Sequence, residues 1–161
     1  PMESLDTQDC RILDELQRDG RLSIAELAER IGLSTTPCWR RVRRLQEAGV
    51  IRRYVAQLDP QQLGIGLDVF VNVTIDMHRA QEFESEIRRR DEVVEGYAIT
   101  GERDYLLHIM VADIRAFEVF VQNDLIRMPG VDRVTTSLVL KTVKDGAAVP
   151  LRYARERAGQ V

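Results

Sequence analysis

A glycine-cornered pair of short amphipathic helices, a proline and glycine break after it, and a strand, helix, strand, strand, helix, strand rhythm beyond the break together predict an α+β chain in two parts. The first part is expected to be a winged helix-turn-helix over residues 1–58. The second is expected to be a ferredoxin-like βαββαβ domain over residues 67–144, with 59–66 as linker and 145–161 as a C-terminal tail. At 161 residues, 44% of them hydrophobic, each part can bury a core, although each is small enough to be marginal alone.

Residues 1–5 read as an irregular start. The first helix is expected over residues 6–19, with Ile12, Leu13 and Leu16 inward and Gly20 ending it. Ala25, Leu27, Ala28 and Ile31 pack the second helix, and the small Ala28 lets a neighbour come close. Gly32 stands where the chain reverses and a positive φ is needed; Leu33 fills the corner. Ser34 suits the N-cap of the third helix, and Pro37 falls in its first turn, where a missing N–H leaves no intrahelical bond unmade.

Along that third helix Cys38, Val42 and Leu45 recur at i, i+4, i+7, the spacing of one buried stripe. At about 100° per residue Thr36, Arg40 and Arg43 fall opposite the stripe, with Arg44 beside them. Arg40, Arg41, Arg43, Arg44, Arg52 and Arg53 crowd into fourteen residues opposed only by Glu47, a concentration that repels itself unless a polyanion is near. Such a rod fits the major groove, its N-terminal end at Ser34, Thr35 and Thr36 toward the duplex and its arginines on base edges or phosphates. The plainer alternative is a helical hairpin with a solvated basic face. Trp39, at the side of the stripe, either packs on the wing or touches the DNA backbone. Residues 50–58 alternate as a short strand or wing would, and Arg52 and Arg53 on it would lie along phosphates.

Charge agrees with a local reader of DNA rather than a basic coat. The net charge is −3, yet residues 1–60 carry ten basic and ten acidic groups, so the acid excess lies in the second part. Cys10 and Cys38 both fall on apolar stripes, and with no leader or membrane-spanning run they point to free thiols in a reducing, cytoplasmic setting. His78 and His108 are far apart and no CxxC or HExxH pattern occurs, so neither a metal nor a catalytic site is expected.

In the second part residues 67–75 alternate, with Leu67, Val69, Val71, Val73 and Ile75 on one side, and a helix over 80–91 follows with Phe83 and Ile87 four apart. Residues 93–100 and 105–111 are expected as a hairpin. A helix over 114–127, capped by Asp113, places Ile114, Phe117, Val121 and Leu125 on one stripe and stops at Pro129-Gly130; the last strand is expected over 134–143. The opposite sheet face carries Phe70, Leu106, Met110 and Val139. With no third helix to cover it, a second subunit is the simplest cover and a homodimer is expected. His108, between Leu107 and Ile109, is read as a hydrogen-bonded structural histidine rather than a titrating switch. In the tail, Val149-Pro150-Leu151 is expected to add an edge strand, and Arg152, Arg155 and Arg157 to be solvated.

These residues resemble the Lrp/AsnC, or feast/famine, family of transcriptional regulators. The resemblance rests on Leu5-Asp6, Asp9, Ile12-Leu13, Leu16 and Asp19-Gly20-Arg21, then on Leu27-Ala28 and Ile31-Gly32-Leu33-Ser34. It continues through Pro37-Cys38, Arg41-Val42, Leu45, Gly49-Val50-Ile51, Tyr54, Gly101 and Asp104-Tyr105. Gln46 departs from it, standing where glutamate is common, and the last dozen residues match weakly. The resemblance implies binding of double-stranded operator DNA, homodimers built sheet to sheet that assemble into tetramers or octamers, and a free amino acid or related molecule as effector. It places that effector at the loop carrying Thr100, Gly101, Asp104 and Tyr105, with Asp104 receiving the ammonium group and Thr136 and Ser137 as weaker contacts. Glycine and aspartate there are also ordinary turn residues, so the loop reads equally well as a plain hairpin. A haem-pathway decarboxylase shares the same head-plus-sheet build, but the intact arginine-rich helix argues against it. An RNA-binding module is disfavoured by the absence of paired aromatics on the central strands.

Overall fold

In the computed structural model the first unit begins with α1 (Thr7–Arg18), started by a reciprocal capping box: Asp6 Oδ1 accepts the Asp9 N–H at 2.8 Å and Asp9 Oδ2 accepts the Asp6 N–H at 3.0 Å. Helix α2 (Ile24–Ile31) starts with a second such box, between Ser23 and Glu26, and ends on Gly32 in the left-handed region at φ 72°. Helix α3 (Thr35–Glu47) follows Ser34, whose backbone is extended as an N-cap requires but whose hydroxyl makes no capping bond. The three helices close around Ile12, Leu13, Leu27, Ala28, Ile31, Cys38, Val42 and Leu45; the stripes read from spacing are buried except at Ala25, which is exposed while Ile24 packs on the core.

The structure describes residues 5–146 and 148–158, apart from the side chains of 157 and 158. The irregular start expected at residues 1–4 and the solvated Arg157 side chain lie outside that range. The chain divides into residues 1–57 with 145–161, and residues 58–144.

Two expectations for the first unit change. The strand expected over residues 50–58 does not form: residues 52–59 have no regular structure. Gly49, at φ 72°, turns the chain so that the Ile51 N–H donates to the Leu45 carbonyl, and Val50 and Ile51 pack on the helical core. Among the described residues none pairs with residues 52–58 in a ladder, and a strand without a partner leaves its backbone groups unpaired. The tail is likewise no edge strand. Leu151 packs on the helical core, Gln17 exchanges two hydrogen bonds with the Val149 backbone, and α6 (Arg152–Ala158) follows, with Arg155 3.6 Å from Asp14 of α1. Those contacts anchor the tail to α1, while Arg152 and Arg155 stay exposed to solvent as expected.

The second unit is a four-stranded antiparallel sheet in the order β2-β3-β1-β4, formed by β1 (Leu67–Ile75), β2 (Val93–Ala98), β3 (Tyr105–Val111) and β4 (Val131–Leu138). Helices α4 (Ala80–Ile87) and α5 (Ile114–Asn123) complete the ferredoxin-like βαββαβ order. Val69, Val71, Val73, Tyr105, Leu107 and Ile109 share a core with Phe83, Phe117, Phe120 and Leu125. Helix α4 ends at Ile87, earlier than expected, and α5 gives way to a 3-10 turn at Leu125–Arg127. Ile114, expected inside, is 56% exposed at the open end of α5, and Phe120 takes an inward place. Strand β4 starts three residues early because Gly130, at φ 78°, reverses the chain against Asp76, whose N–H donates to the Gly130 carbonyl at 2.8 Å. A Cβ at Gly130 would stand 3.2 Å from the Asp76 carbonyl oxygen, so the reversal needs glycine.

The other sheet face carries Phe70, Leu106, Met110 and Val139, all part-buried. There the Phe70 ring stacks on His108 with centroids 4.6 Å apart. His108 Nε2 lies 2.5 Å from Asp68 Oδ1 and Nδ1 lies 3.4 Å from Glu95, the hydrogen-bonded setting expected for it.

Candidate nucleic-acid interface

Helix α3 carries four arginines, and the first unit uses them in two ways. Arg41 and Arg44 lie on the flank facing α1. Arg41 Nη1 donates to Asp6 Oδ2 at 2.6 Å and to Asp9 Oδ1 at 2.8 Å, while Arg44 Nη2 donates to Asp9 Oδ2 at 2.5 Å. Asp9 is fully buried, and a buried carboxylate is tolerable only when paired and hydrogen-bonded. Two guanidinium groups and the Asp6 N–H supply that pairing, so α1 and α3 are joined by charge as well as by apolar packing. Burial works against the ionised Asp6 carboxyl, but the Asp9 N–H and the Arg41 guanidinium outweigh it and hold the group below the usual range. The same carboxylates raise Arg41 above its ordinary value.

On the outward side Thr36, Arg40 and Arg43 are exposed, and among the described residues Arg40 has no ion-pair partner. Arg43 is held at both sides: its Nε donates to Glu47 Oε1 at 2.7 Å, and its guanidinium carbon lies 5.4 Å from the centre of the Trp39 ring. Trp39 itself is 47% exposed and serves as a platform for Arg43. Ser34, Thr35 and Thr36 stand exposed around the first turn of α3, and Arg52 and Arg53 are exposed on the irregular segment that follows it. The structure therefore gathers most of the residues expected at DNA onto one side of α3 but turns Arg44 toward α1. Sequence reasoning named Asp9 and Glu47 but missed which arginines they pair with; the signals were two aspartates three apart opening α1, and a glutamate four residues after Arg43.

The residues expected at an effector do not meet in one pocket within a single chain. Thr100 and Gly101 are exposed in the β2–β3 turn, Gly101 at φ 123°. Asp104 is committed locally: its Oδ2 accepts the Ile75 N–H at 2.8 Å and its own N–H donates to Val73. Tyr105 is buried in the core with its hydroxyl 2.9 Å from Glu84 Oε1, and burial followed by the Glu84 charge raises its pKa. Thr136 pairs with Val71 and Ser137 with Phe70, so their side chains leave opposite faces of the sheet. A groove of about 340 Å³ lies instead between α4 and β2, lined by Phe83, Ile87, Val93 and Leu107, with Glu84 and Arg88 at its rim paired at 2.8 Å.

Cys10 and Cys38 are buried and unpaired, and burial raises both thiols above their ordinary range, which keeps them protonated and weakly reactive. Among the described residues no group of histidine, cysteine and carboxylate side chains could hold a metal ion, and no helix is long and apolar enough to cross a membrane.

Residues 68–149 match the family described as the Lrp/AsnC ligand binding domain, and residues 5–52 match winged helix-turn-helix DNA-binding. The leucine-responsive regulatory protein of Klebsiella pneumoniae is 41% identical over 147 residues, 89% of this chain and 90% of its own length; that of Escherichia coli K12 is 40% identical over the same span. A transcriptional regulator of Neisseria meningitidis solved with L-methionine superposes with a TM-score of 0.90 at 40% identity, covering 92% of this chain and 98% of that one. An AsnC family transcriptional regulator of Agrobacterium tumefaciens gives 0.87 at 38% identity, covering 92% and 99%.

Proposed function

The chain belongs to the Lrp/AsnC family of DNA-binding transcriptional regulators, and from that premise we propose that it reads operator DNA through the outward side of α3. The observation that carries this assignment is the division of the arginines. Arg41 and Arg44 are spent on Asp9, whereas Arg40 and Arg43 face outward beside Thr36 on a helix whose first turn also presents Ser34 and Thr35. Arg52 and Arg53 supply phosphate contacts, which add salt-dependent affinity without reading sequence. In a mobility-shift titration against a duplex selected by the wild-type protein, Arg40→Ala binds more weakly while the oligomer is unchanged. Wild-type affinity in that variant would remove α3 from the interface.

The second unit is read as the effector and assembly domain, acting in the cytoplasm without catalysis or a bound cofactor. Its apolar outer face, with Phe70, Leu106, Met110 and Val139 only part-covered, supports a homodimer through that face, with tetramers or octamers as further assemblies. The matched ligand-binding domain, and the L-methionine in the Neisseria meningitidis relative, support a free amino acid as effector. Since Asp104 and Tyr105 are committed within one chain, the effector site is completed by a second copy near Thr100 and Gly101. Binding there shifts the balance between assemblies, and the coupling to DNA affinity is reciprocal. A thermal-shift screen of free amino acids tests this, because a ligand at a hundredfold its Kd stabilises by about 2.7 kcal/mol. No shift from any amino acid would leave the DNA reading and remove the sensor.

A further inference from the structure

The Arg43 guanidinium is held by two groups at once. Its inner nitrogen, Nε, is taken by Glu47 Oε1 at 2.7 Å, and its plane is carried 5.4 Å from the Trp39 ring centre. Among the described residues neither terminal nitrogen, Nη1 or Nη2, has a partner. A guanidinium has two edges that can grip a bidentate acceptor, one using Nε with a terminal nitrogen and one using both terminal nitrogens. Glu47 occupies the first edge and leaves the second open.

We infer that Arg43 is the specificity-determining residue of this chain, reading one guanine per half-site in the major groove through Nη1 and Nη2, with Trp39 and Glu47 as its positioning residues. The chemistry selects the base. Guanine alone presents two acceptors, O6 and N7, side by side on its major-groove edge, matching the two parallel N–H bonds of the open end of the fork. A phosphate would also accept such a fork, but a phosphate contact needs no preset direction, whereas a base edge rewards a side chain whose rotamer freedom is already spent. Fixing the guanidinium between an aromatic face and a carboxylate does that before DNA arrives. Glu47 places a negative charge on the outward side of α3, which a helix serving only to gather phosphates would be better without.

The inference rests on the DNA-reading assignment of α3, and the experiment separates the two. The full chain selects sites from a random duplex library. Binding is then measured against every single-base substitution of the selected site and against 7-deazaguanine at each guanine, which removes N7 alone. For the wild type, replacing one guanine in each half-site weakens binding roughly 5- to 150-fold. Arg43→Ala and Arg43→Lys both lose that discrimination at that position only, and Arg43→Lys keeps the wild-type salt dependence because its charge remains. Trp39→Ala reduces discrimination at the same guanine, and Trp39→Tyr, which restores a ring face, recovers it. If Arg43→Ala weakens binding to all duplexes equally and lowers the salt slope by about one, Arg43 is a phosphate contact and the inference is wrong while α3 remains the reader. If the wild type selects no sequence at all, both the inference and the DNA-reading assignment fail.

Discussion

Arg41 and Arg44 each follow by one residue an outward neighbour, Arg40 and Arg43, on the same helix, yet the inward pair and the outward pair do opposite work. The inward pair neutralises a carboxylate with no solvent exposure and pins α3 against α1. The outward pair is left in solvent, one arginine without an ion-pair partner among the described residues and one braced by Trp39 and Glu47. The difference teaches that a count of arginines on a recognition helix overstates its capacity to bind DNA. What matters is whether a buried acid elsewhere has already claimed them, and here one aspartate on α1 decides which two are available.

The two pairs should separate under mutation. The largest effect is expected from Val42→Asp, which puts an unpaired charge at a site only 6% exposed and removes the packing both pairs depend on. It should cost more than about 4 kcal/mol and abolish the cooperative melting of the first unit; a wild-type melt by circular dichroism would contradict the assigned stripe. Next is Asp9→Ala, which removes the acid shared by Arg41 and Arg44 and leaves Arg41 its contact with Asp6. Removing one partner of a buried pair typically costs about 3 to 5 kcal/mol, and the lower end is expected because both arginines keep some solvent access. Chemical denaturation of the first unit measures it, and a midpoint unchanged from wild type would mean the inward pair contributes nothing.

A smaller effect, and in a different observable, is expected of Arg40→Ala: duplex affinity falls by about 1 to 2 kcal/mol while stability moves by less than about 0.5 kcal/mol. An equal loss in both would erase the distinction between the pairs. The smallest effect is acid dependence. Asp6 has a folded pKa below its ordinary value, so its contribution is present above the usual carboxylate range near 4 and is lost as pH falls through the lowered folded value. Between about pH 5 and about pH 3 the melting temperature should therefore drop more steeply in the wild type than in Asp6→Asn. Parallel profiles would show that the Arg41 contact does not favour the ionised acid.

Much of this architecture was legible because local rules and burial agree. Gly32 needed a positive φ at the corner, Cys38, Val42 and Leu45 shared one helical stripe, and strands β1 and β3 alternate without interruption. The misses come from places where long-range partners decide. Residues 50–58 alternate acceptably, but a strand exists only beside another strand, and spacing alone does not show that the neighbour is missing. The tail was expected to add an edge strand because its real contacts, Leu151 on the helical core and Val149 with Gln17, join segments more than a hundred residues apart. Within the site, the outward set of α3 followed from 100° per residue. The fate of Arg44 did not, since it depends on how far an acid on another helix is buried.

The outward arginines read DNA in this proposal, while the inward ones hold the helix. Equilibrium binding of a wild-type-selected duplex by the double variant Arg40→Ala/Arg43→Ala, with its melting curve recorded on the same sample, tests that most directly. Loss of sequence-selective binding with wild-type melting is the predicted result. Retention of wild-type affinity and selectivity by that double variant would contradict it.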